Sequence, residues 1–162
     1  MNYLEKIKNK IFTKESFKKI LKTLKLQNQK IVFSNGCFDL IHRGHIDYLA
    51  RAKNLGDILI IGLNTDISVR NLKGEKRPIQ DEYSRAFHLS SFCFVDYVIL
   101  FSEETPYNLI KFINPNILVK GSDYKKEDII GYDIVNKNGG EIITLDFIDG
   151  FSTSKIIEKI IN

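Results

Sequence analysis

The chain has 162 residues, of which 43% are hydrophobic and 27% charged, and its formal net charge at pH 7 is +4. This length suits one compact domain, and the longest clean apolar run, "ILIIGL" at 58–63, is far too short to cross a bilayer. The two cysteines, Cys37 and Cys93, are far apart and follow no metal-binding spacing, so we expect free thiols rather than a disulfide framework or a structural zinc site.

Positive charge is concentrated in the first part of the chain. Residues 1–30 hold nine Lys and two Glu, whereas acidic residues outnumber basic ones in the remainder. Apolar residues recur there at helical spacing, so we predict an amphipathic helical extension over 1–26 with a solvated basic face, followed by one domain over 27–162. A module that binds nucleic acid or a protein partner through these lysines is the remote alternative, because no aromatic stacking platform accompanies them.

The opening residues also bear on location. They alternate charged and apolar side chains and lack the continuous apolar core and small-residue cleavage site of a secretory signal. We therefore expect a cytoplasmic protein without a membrane partner. The residues leave the oligomeric state open, with a homo-oligomer among the alternatives.

From residue 30 onward, short β-branched runs alternate with helical patterns. Five strands are predicted, at 30–35, 57–64, 96–101, 116–121 and 140–147. Helices are predicted at 45–55, 66–72, 80–92, 105–113, 126–138 and 152–161. This alternation predicts a doubly wound α/β domain with a five-stranded parallel sheet covered on both faces. Such sheets bind ligands beyond the carboxyl ends of their strands.

The segment "NGCFDLIHRGH", residues 35–45, joins the first predicted strand to the following helix. Gly36 permits a backbone turn that a side chain would block, and Gly44 lets a ligand approach the exposed amides at the helix start. His42 and His45 are three residues apart and project to the same side, where imidazoles can donate hydrogen bonds to phosphate oxygens. The chain has neither a GxGxxG fingerprint nor a GxxxxGK[ST] loop, so the segment predicts a phosphate site of another kind.

A zinc pair and a purely structural role are the other interpretations of these histidines. Zinc takes three or four ligands, and the one other histidine, His88, lies in a helical pattern with no acidic neighbour that suggests a site. We therefore predict no protein-held metal and place His88 at the core edge or the surface.

Charged residues also follow the second predicted strand. Asp66 fits equally well as a helix cap and as a group that faces the ligand crevice. Lys73, Lys76 and Arg77 surround Gly74 in a loop, where cations can swing onto a phosphate or remain solvated. We expect the group to serve a phosphate.

The fourth strand and the last helix supply further candidates. Lys120, Gly121 and Asp123 stand at the end of the fourth strand in "VKGSDY". The last helix opens with "GFSTSKII", in which Ser152 and Thr153 can cap the helix or form a second anion-binding helix start. Two such starts in one crevice suit a triphosphate.

With these segments in place, the chain resembles the nucleotidyltransferases marked by an HxGH signature, here "HRGH" at 42–45. Within them it is similar to the heptose 1-phosphate adenylyltransferases, which occur as a stand-alone form, expected here, and as a domain of bifunctional ADP-heptose synthases. "NGCFD", "LKGEKRP" and "VKGSDY" carry the closer similarity, which runs from Lys30 to the C-terminus. The resemblance implies a Rossmann-like nucleotidyltransferase fold and transfer of AMP from ATP to D-glycero-D-manno-heptose 1-phosphate.

The resemblance also implies roles for individual residues. Catalytic contacts are expected from His42, His45 and Lys73, although Lys76 competes with Lys73 for the phosphates. Nucleotide contacts are expected from Gly36, Cys37, Phe38, Gly44, Lys120, Gly121, Asp123, Ser152 and Thr153. Contacts to the sugar phosphate or to its neighbours are expected from Asn35, Asp39, Asp66, Lys76 and Arg77.

The expected partners are therefore ATP and a sugar 1-phosphate, with Mg²⁺ bridging the triphosphate and held by substrate and water. Attack on the α-phosphorus needs no protein nucleophile. A guanylyltransferase or cytidylyltransferase acting on a related heptose 1-phosphate or polyol phosphate is the alternative, because the residues do not reveal the base or the acceptor sugar.

Overall fold

The structure is a computed structural model and describes residues 2–122, 125–146, 148 and 150–161. The strands of this part are β1 (Ile11–Thr13), β2 (Ile31–Gly36), β3 (Ile58–Asn64), β4 (Tyr97–Phe101), β5 (Ile117–Gly121) and β6 (Glu141–Leu145). The helices are α1 (Tyr3–Lys8), α2 (Lys14–Leu26), α3 (Arg43–Lys53), α4 (Asp66–Lys73), α5 (Glu82–Ser91), α6 (Tyr107–Ile113), α7 (Tyr132–Lys137) and α8 (Thr153–Ile161), with a 3₁₀ turn at Lys126–Asp128.

All the strands run parallel in one sheet, in the spatial order β1-β4-β3-β2-β5-β6. Their side chains alternate between two buried faces. One face packs against α2, α6 and α7, and the other against α3 and α5. Buried strand residues of the first face are Ile31, Phe33, Ile60, Ile99, Phe101, Leu118 and Ile142, and those of the second are Val32, Leu59, Ile61, Leu63, Val98, Ile117 and Val119. The predicted doubly wound parallel fold is confirmed.

The five predicted strands are present as β2 to β6, and β1 is an addition. It consists of three residues between two helices and pairs along the edge with β4, with Ile11 opposite Val98 and Thr13 opposite Leu100. A three-residue strand is too short to show a period of two, which is why the pattern did not reveal it. The N-terminal segment predicted as purely helical therefore contributes to the sheet.

The same segment is anchored by one face of α2. Phe17 is fully buried and Leu21 and Leu24 nearly so, whereas α1 has no buried residue. The domain boundary between residues 26 and 27 stays a prediction. No helix in the described part of the chain combines the length and the apolar character needed to span a membrane.

The helix predicted over 126–138 is wrong in its extent. The 3₁₀ turn ends at Asp128 and α7 begins at Tyr132, separated by Gly131 at a φ of 91°. A Cβ at this glycine would lie 2.8 Å from Cδ1 of Ile110. The left-handed backbone and the close packing of α6 together interrupt the helical pattern here.

Candidate active site

The site lies where the winding of the sheet changes direction. From β2 the chain winds outward through β3 and β4, and then crosses back to β5 on the other side of β2. Asn35 of β2 and Lys120 of β5 stand beside each other at this point, and Lys120 Nζ donates a hydrogen bond to Asn35 Oδ1 at 2.6 Å. The carboxyl ends of diverging strands open a crevice at such a switch point.

A cavity of about 380 Å³ occupies this crevice. It is within the range of small-molecule sites. Ten residues predicted from the sequence line it: Asn35, Gly36, Cys37, Phe38, Asp39, His45, Lys73, Lys120, Gly121 and Thr153. The structure therefore brings together residues from the ends of β2 and β5 and from the starts of α3 and α8.

A second cavity, of about 550 Å³, lies beside α8. His42 and Ser152 line it, together with the basic residues Arg43, Lys155 and Lys159. The "HRGH" segment thus borders both cavities, His45 on one and His42 on the other. The stacked histidine pair therefore lies at the border of two cavities.

The two signature histidines stack on each other. Their ring centroids are 3.8 Å apart, with 23° between the ring planes. The Nδ1 atoms of both rings are buried and have no hydrogen-bond partner among the described residues. A buried polar atom without a partner is costly, so its concentration at a cavity indicates a place for a ligand.

Burial favours the neutral form of both histidines. Burial, together with the nearby His42 and Lys73, lowers the pKa of His45 to about 4. A hydrogen bond with the Leu40 backbone acts to raise this pKa and is the smallest of these effects. Burial also lowers the pKa of His42. A neutral imidazole can donate one hydrogen bond, and a polyanion beside it would favour protonation.

The starts of α3 and α8 meet at the histidines. Thr153 Oγ1 donates to the Leu40 carbonyl at 3.3 Å, and the Phe151 ring lies 6.4 Å from the His42 ring. Gly44 is the close-approach position: a Cβ there would lie 3.1 Å from the His42 ring and 3.3 Å from Phe151 Cβ. Two helix N-termini therefore face one region, where their amides and dipoles favour an anion.

Ser152 and His42 begin these two helices differently. Ser152 Oγ accepts a hydrogen bond from the Lys155 amide at 3.2 Å, so it caps the first turn of α8. His42 is the residue before α3 and its side chain makes no capping hydrogen bond. The first amides of α3 are thus left available for a ligand.

Asp39 and Arg77 are brought together, but they bind each other. Arg77 Nε donates to Asp39 Oδ2 at 2.6 Å, and the amides of Ile79 and Gln80 also donate to the Asp39 carboxylate. Burial alone would raise the pKa of Asp39, but the two amides and the Arg77 guanidinium together hold it below its usual value. Their first task is to fix the loop 77–80, and their contact with substrate stays a prediction.

Asp66 lies outside the lining of the 380 Å³ cavity. Thr65, rather than Asp66, caps α4 by accepting from the Ser68 amide, so the cap interpretation of Asp66 is wrong. Asp66 Oδ1 instead accepts from Arg85 Nη2 at 2.7 Å. Its predicted contact with the substrate stays a prediction.

The structure separates the loop lysines. Lys73, at the end of α4, lines the 380 Å³ cavity, whereas Lys76 is exposed and does not. Asp123, a predicted nucleotide contact, lies outside the described residues. His88 is exposed on α5, in agreement with its expected place, and Cys37 and Cys93 are free thiols.

Two residues of the site were missed from the sequence. Tyr48 lines the cavity and its hydroxyl is 2.8 Å from Ser34 Oγ, and Arg85 is a fully buried cation on α5. Tyr48 is on the same face of α3 as His45, three residues away, which is a signal that could have found it. Arg85 gave no such signal, because its partners come from four separate parts of the chain.

A family model described as cytidylyltransferase-like matches residues 33–159. The chain belongs to this family. The cytidylyltransferase-like family membership confirms the predicted relation to nucleotidyltransferases. The matched range includes the ends of β2 and β5 and the start of α8, which together form the site.

Individual relatives support a closer placement. The chain is 52% identical over 160 residues to the bifunctional protein HldE of Campylobacter jejuni subsp. doylei, an alignment that covers 99% of this chain and 32% of that protein. It is 55% identical over 142 residues to the bifunctional protein HldE of Helicobacter pylori, covering 88% of this chain and 30% of that protein. The chain thus spans about a third of the length of the curated relatives that it matches.

A solved structure gives the same picture. The lipopolysaccharide core biosynthesis protein from Thermoplasma volcanium superposes with a TM-score of 0.63 at 32% identity, covering 75% of this chain and 99% of that one. Its similarity in sequence and fold confirms the Rossmann-like nucleotidyltransferase architecture of the cytidylyltransferase-like family.

Proposed function

We propose that the protein transfers AMP from ATP to D-glycero-D-manno-heptose 1-phosphate, giving ADP-heptose and pyrophosphate. The observation that carries this proposal is the convergence of His45, Lys73, Lys120 and Thr153 on one cavity at the switch point of the sheet. The identity to bifunctional HldE proteins over nearly the whole chain supports a heptose substrate and adenine as the base.

The reaction is a displacement at phosphorus. A phosphate oxygen of the sugar 1-phosphate forms a bond to the α-phosphorus of ATP, while the bond from that phosphorus to the α–β bridging oxygen breaks. Pyrophosphate leaves with the bonding electron pair, so the protein need not supply a nucleophile. Catalysis then depends on aligning the two phosphates and stabilising the charge that develops on the leaving oxygen.

The histidine pair donates hydrogen bonds to phosphate oxygens. Both imidazoles are neutral before substrate binds, because burial lowers their pKa. A bound triphosphate places negative charge beside them and raises their pKa, so protonation strengthens their hydrogen bonds when charge develops on pyrophosphate. In this proposal His42 and His45 stabilise the transition state.

The remaining contacts come from the helix starts and the lysines. The exposed amides of α3 and α8 bind phosphate oxygens through backbone N–H groups. Lys120 donates a hydrogen bond to Asn35 at the carboxyl ends of β5 and β2, which fixes the position of its charge. Lys73 is exposed at the end of α4 and can swing onto a bound phosphate. The two lysines therefore neutralise the phosphates from different sides of the cavity.

The proposal includes Mg²⁺ held by the substrate rather than by the protein. Among the described residues, no group of three or more His, Cys, Asp or Glu side chains could hold a metal ion. Asp39, the acidic residue of the cavity lining, has both carboxylate oxygens occupied by Arg77 and backbone amides. Magnesium held by phosphate oxygens and water would neutralise triphosphate charge when bound.

ATP and sugar phosphates are cytoplasmic substrates, so we place the reaction in the cytoplasm. The product would supply heptose to a bacterial surface polysaccharide, in line with the lipopolysaccharide core biosynthesis name of the Thermoplasma volcanium relative.

A direct assay tests the proposal. Purified protein is incubated with ATP, Mg²⁺ and D-glycero-β-D-manno-heptose 1-phosphate, and pyrophosphate release is measured together with the mass of the sugar nucleotide. The α-anomer, a polyol phosphate, GTP and CTP serve as matched replacements for each substrate. Pyrophosphate release that requires CTP or GTP, or a polyol phosphate, would contradict the proposal and favour the corresponding alternative.

A further inference from the structure

Arg85 is a fully buried cation that lies behind the active-site turn rather than in the cavity. It belongs to α5, yet its guanidinium reaches four other parts of the chain. Its acceptors are the carbonyl oxygens of Cys37 (2.7 Å), Asn64 (2.8 Å) and Gln80 (3.0 Å) and the Oδ1 atom of Asp66 (2.7 Å). One side chain thus connects the turn after β2, the end of β3, the start of α4 and the loop before α5.

Stability alone does not account for this arginine. A buried ion pair gains little over well-packed apolar side chains, because both ions lose their hydration. Its neighbours on α5, Ala86 and Leu89, show that apolar residues pack at this helix face without difficulty. What the guanidinium adds is geometry, since its planar fork fixes the directions of several carbonyl groups at once.

The turn that Arg85 holds contains a strained residue. Phe38 has a φ of 45°, in the left-handed region of backbone conformation that residues other than glycine rarely adopt. Such a conformation persists only where the surroundings fix it. Here Arg85 holds the carbonyl of Cys37 on one side, and Arg77 with the loop amides holds the carboxylate of Asp39 on the other.

Phe38 of the strained turn contacts His45. The Phe38 ring is buried and lies 5.3 Å from the His45 ring, measured between centroids. A continuous path of contacts therefore leads from the Arg85 guanidinium through Cys37 and Phe38 to His45. The geometry points to Arg85 as a positioning residue for the proposed adenylyl transfer, which fixes the turn 37–39 so that Phe38 holds His45 in the cavity. This inference rests on the proposed function.

The main test is the variant Arg85→Lys. Lysine keeps the charge for Asp66 but cannot reproduce the fork to the Cys37 and Asn64 carbonyls. We expect kcat to fall roughly ten- to hundredfold with a much smaller change in KM for ATP, because misplacement of a catalytic group by about 1 Å costs on this order. NMR titration of the histidine Cε1–H signals should also show the His45 pKa moving up, toward the value of a solvated imidazole.

Asp96→Asn is the control for a general loss of stability. Asp96 binds Lys53 at 2.6 Å and the Leu59 amide at 2.7 Å, next to the amino ends of the strands and far from the turn. This variant should lower the melting temperature while leaving kcat and the His45 titration unchanged. The comparison separates positioning from a general loss of stability.

Phe38→Leu keeps the test decisive if Arg85→Lys does not fold. Leucine retains apolar bulk and all the Arg85 contacts but removes the ring against His45. A lower kcat with a shifted His45 pKa supports the proposed path. Wild-type kcat or an unshifted His45 pKa in folded Arg85→Lys would overturn it. Where Arg85→Lys is unfolded, either result in Phe38→Leu would overturn it.

Failure of the proposed function would give a different result. If the wild-type protein transfers no AMP to the heptose phosphate, the proposed function fails, whereas the His45 titration still tests the positioning effect of Arg85. An unchanged titration in an active, folded Arg85→Lys protein would overturn the positioning inference alone.

Discussion

The side of the sheet at the amino ends of the strands (the amino edge) and the side at their carboxyl ends (the carboxyl edge) use polar side chains in different ways. At the amino edge, Lys53 and Asp96 form an ion pair of 2.6 Å, and Asp96 also accepts from the Leu59 amide. Lys10 donates to the backbone of the same region, at 2.7 Å to the Val95 carbonyl. These side chains close the loops at this edge by binding other groups of the protein.

At the carboxyl edge, several buried polar atoms of the described side chains make no hydrogen bond. Five buried side-chain polar atoms in the described part of the chain have no partner, and four of them lie here: Nδ1 of His42 and of His45, Nη2 of Arg77 and Oε1 of Gln80. Unpaired buried groups cost stability, so the protein tolerates at this edge what it avoids at the other. The difference indicates that one edge is built for folding and the other for a ligand.

His45→Ala is the substitution expected to damage the carboxyl edge most. Loss of one well-aimed hydrogen-bond donor to the developing charge costs about 3 to 4 kcal/mol of barrier, or roughly a hundred- to a thousandfold in rate. Pyrophosphate release with ATP and heptose 1-phosphate measures the effect. His88→Ala, which removes an exposed histidine from α5, is the control and should retain wild-type turnover. Near-normal turnover by a folded His45→Ala protein would remove the histidine from the chemistry.

The loop lysines provide a finer comparison within the same edge. Lys73→Ala should reduce kcat/KM roughly ten- to hundredfold, because a hydrogen bond from a charged donor contributes about 1.5 to 3 kcal/mol. Lys76→Ala should have little effect, because Lys76 is outside the cavity lining. Equal losses in the two variants would show that the loop moves to bring both lysines to the phosphates.

Much of the fold could be predicted because its signals are local. The strands β2 to β6 are continuous apolar runs between helical patterns, and this spacing alone predicts a parallel sheet. β1 could not be predicted, because its three residues gain their conformation from pairing with β4. The break at Gly131 depends equally on a distant contact, with Ile110 of α6.

In the candidate site, too, residues with a local sequence signal could be predicted, whereas those that depend on distant contacts could not. His45, Gly44 and Lys120 stand directly at strand ends or helix starts, so the fold pattern placed them. The role of Arg85 was not predicted, because the carbonyl groups that it binds are distant in sequence from one another. The predicted substrate contact of Asp39 stays a prediction, but its hydrogen bond from Arg77 was not foreseen, because no spacing rule predicts a pairing across 38 residues.

Lowering the pH should reduce the free energy of unfolding through His45. Its pKa is about 4 in the folded protein against 6.5 for a free imidazole, so between these values the unfolded state binds more protons and acid favours unfolding. This contribution is fully felt below pH 4 and vanishes above pH 6.5. Replacing His45 by Gln should therefore reduce the loss of stability between pH 7.5 and pH 5 by about 1 to 2 kcal/mol. Urea unfolding of both proteins at the two pH values measures it, and equal losses would contradict the neutral, buried histidine.

Asp96→Asn probes the amino edge and should have the smallest effect. The side chains of Asp96 and Lys53 are each about one-quarter exposed, so their ion pair is partly screened by water and its loss should cost about 1 kcal/mol of unfolding free energy. The asparagine oxygen can still accept from the Leu59 amide, which limits the damage to the loop. Urea unfolding measures the stability, and pyrophosphate release should be unchanged, because this edge holds no phosphate. A fall in turnover greater than the fall in folded protein would mean that the two edges are coupled through the strands, and the division of labour between them would have to be abandoned.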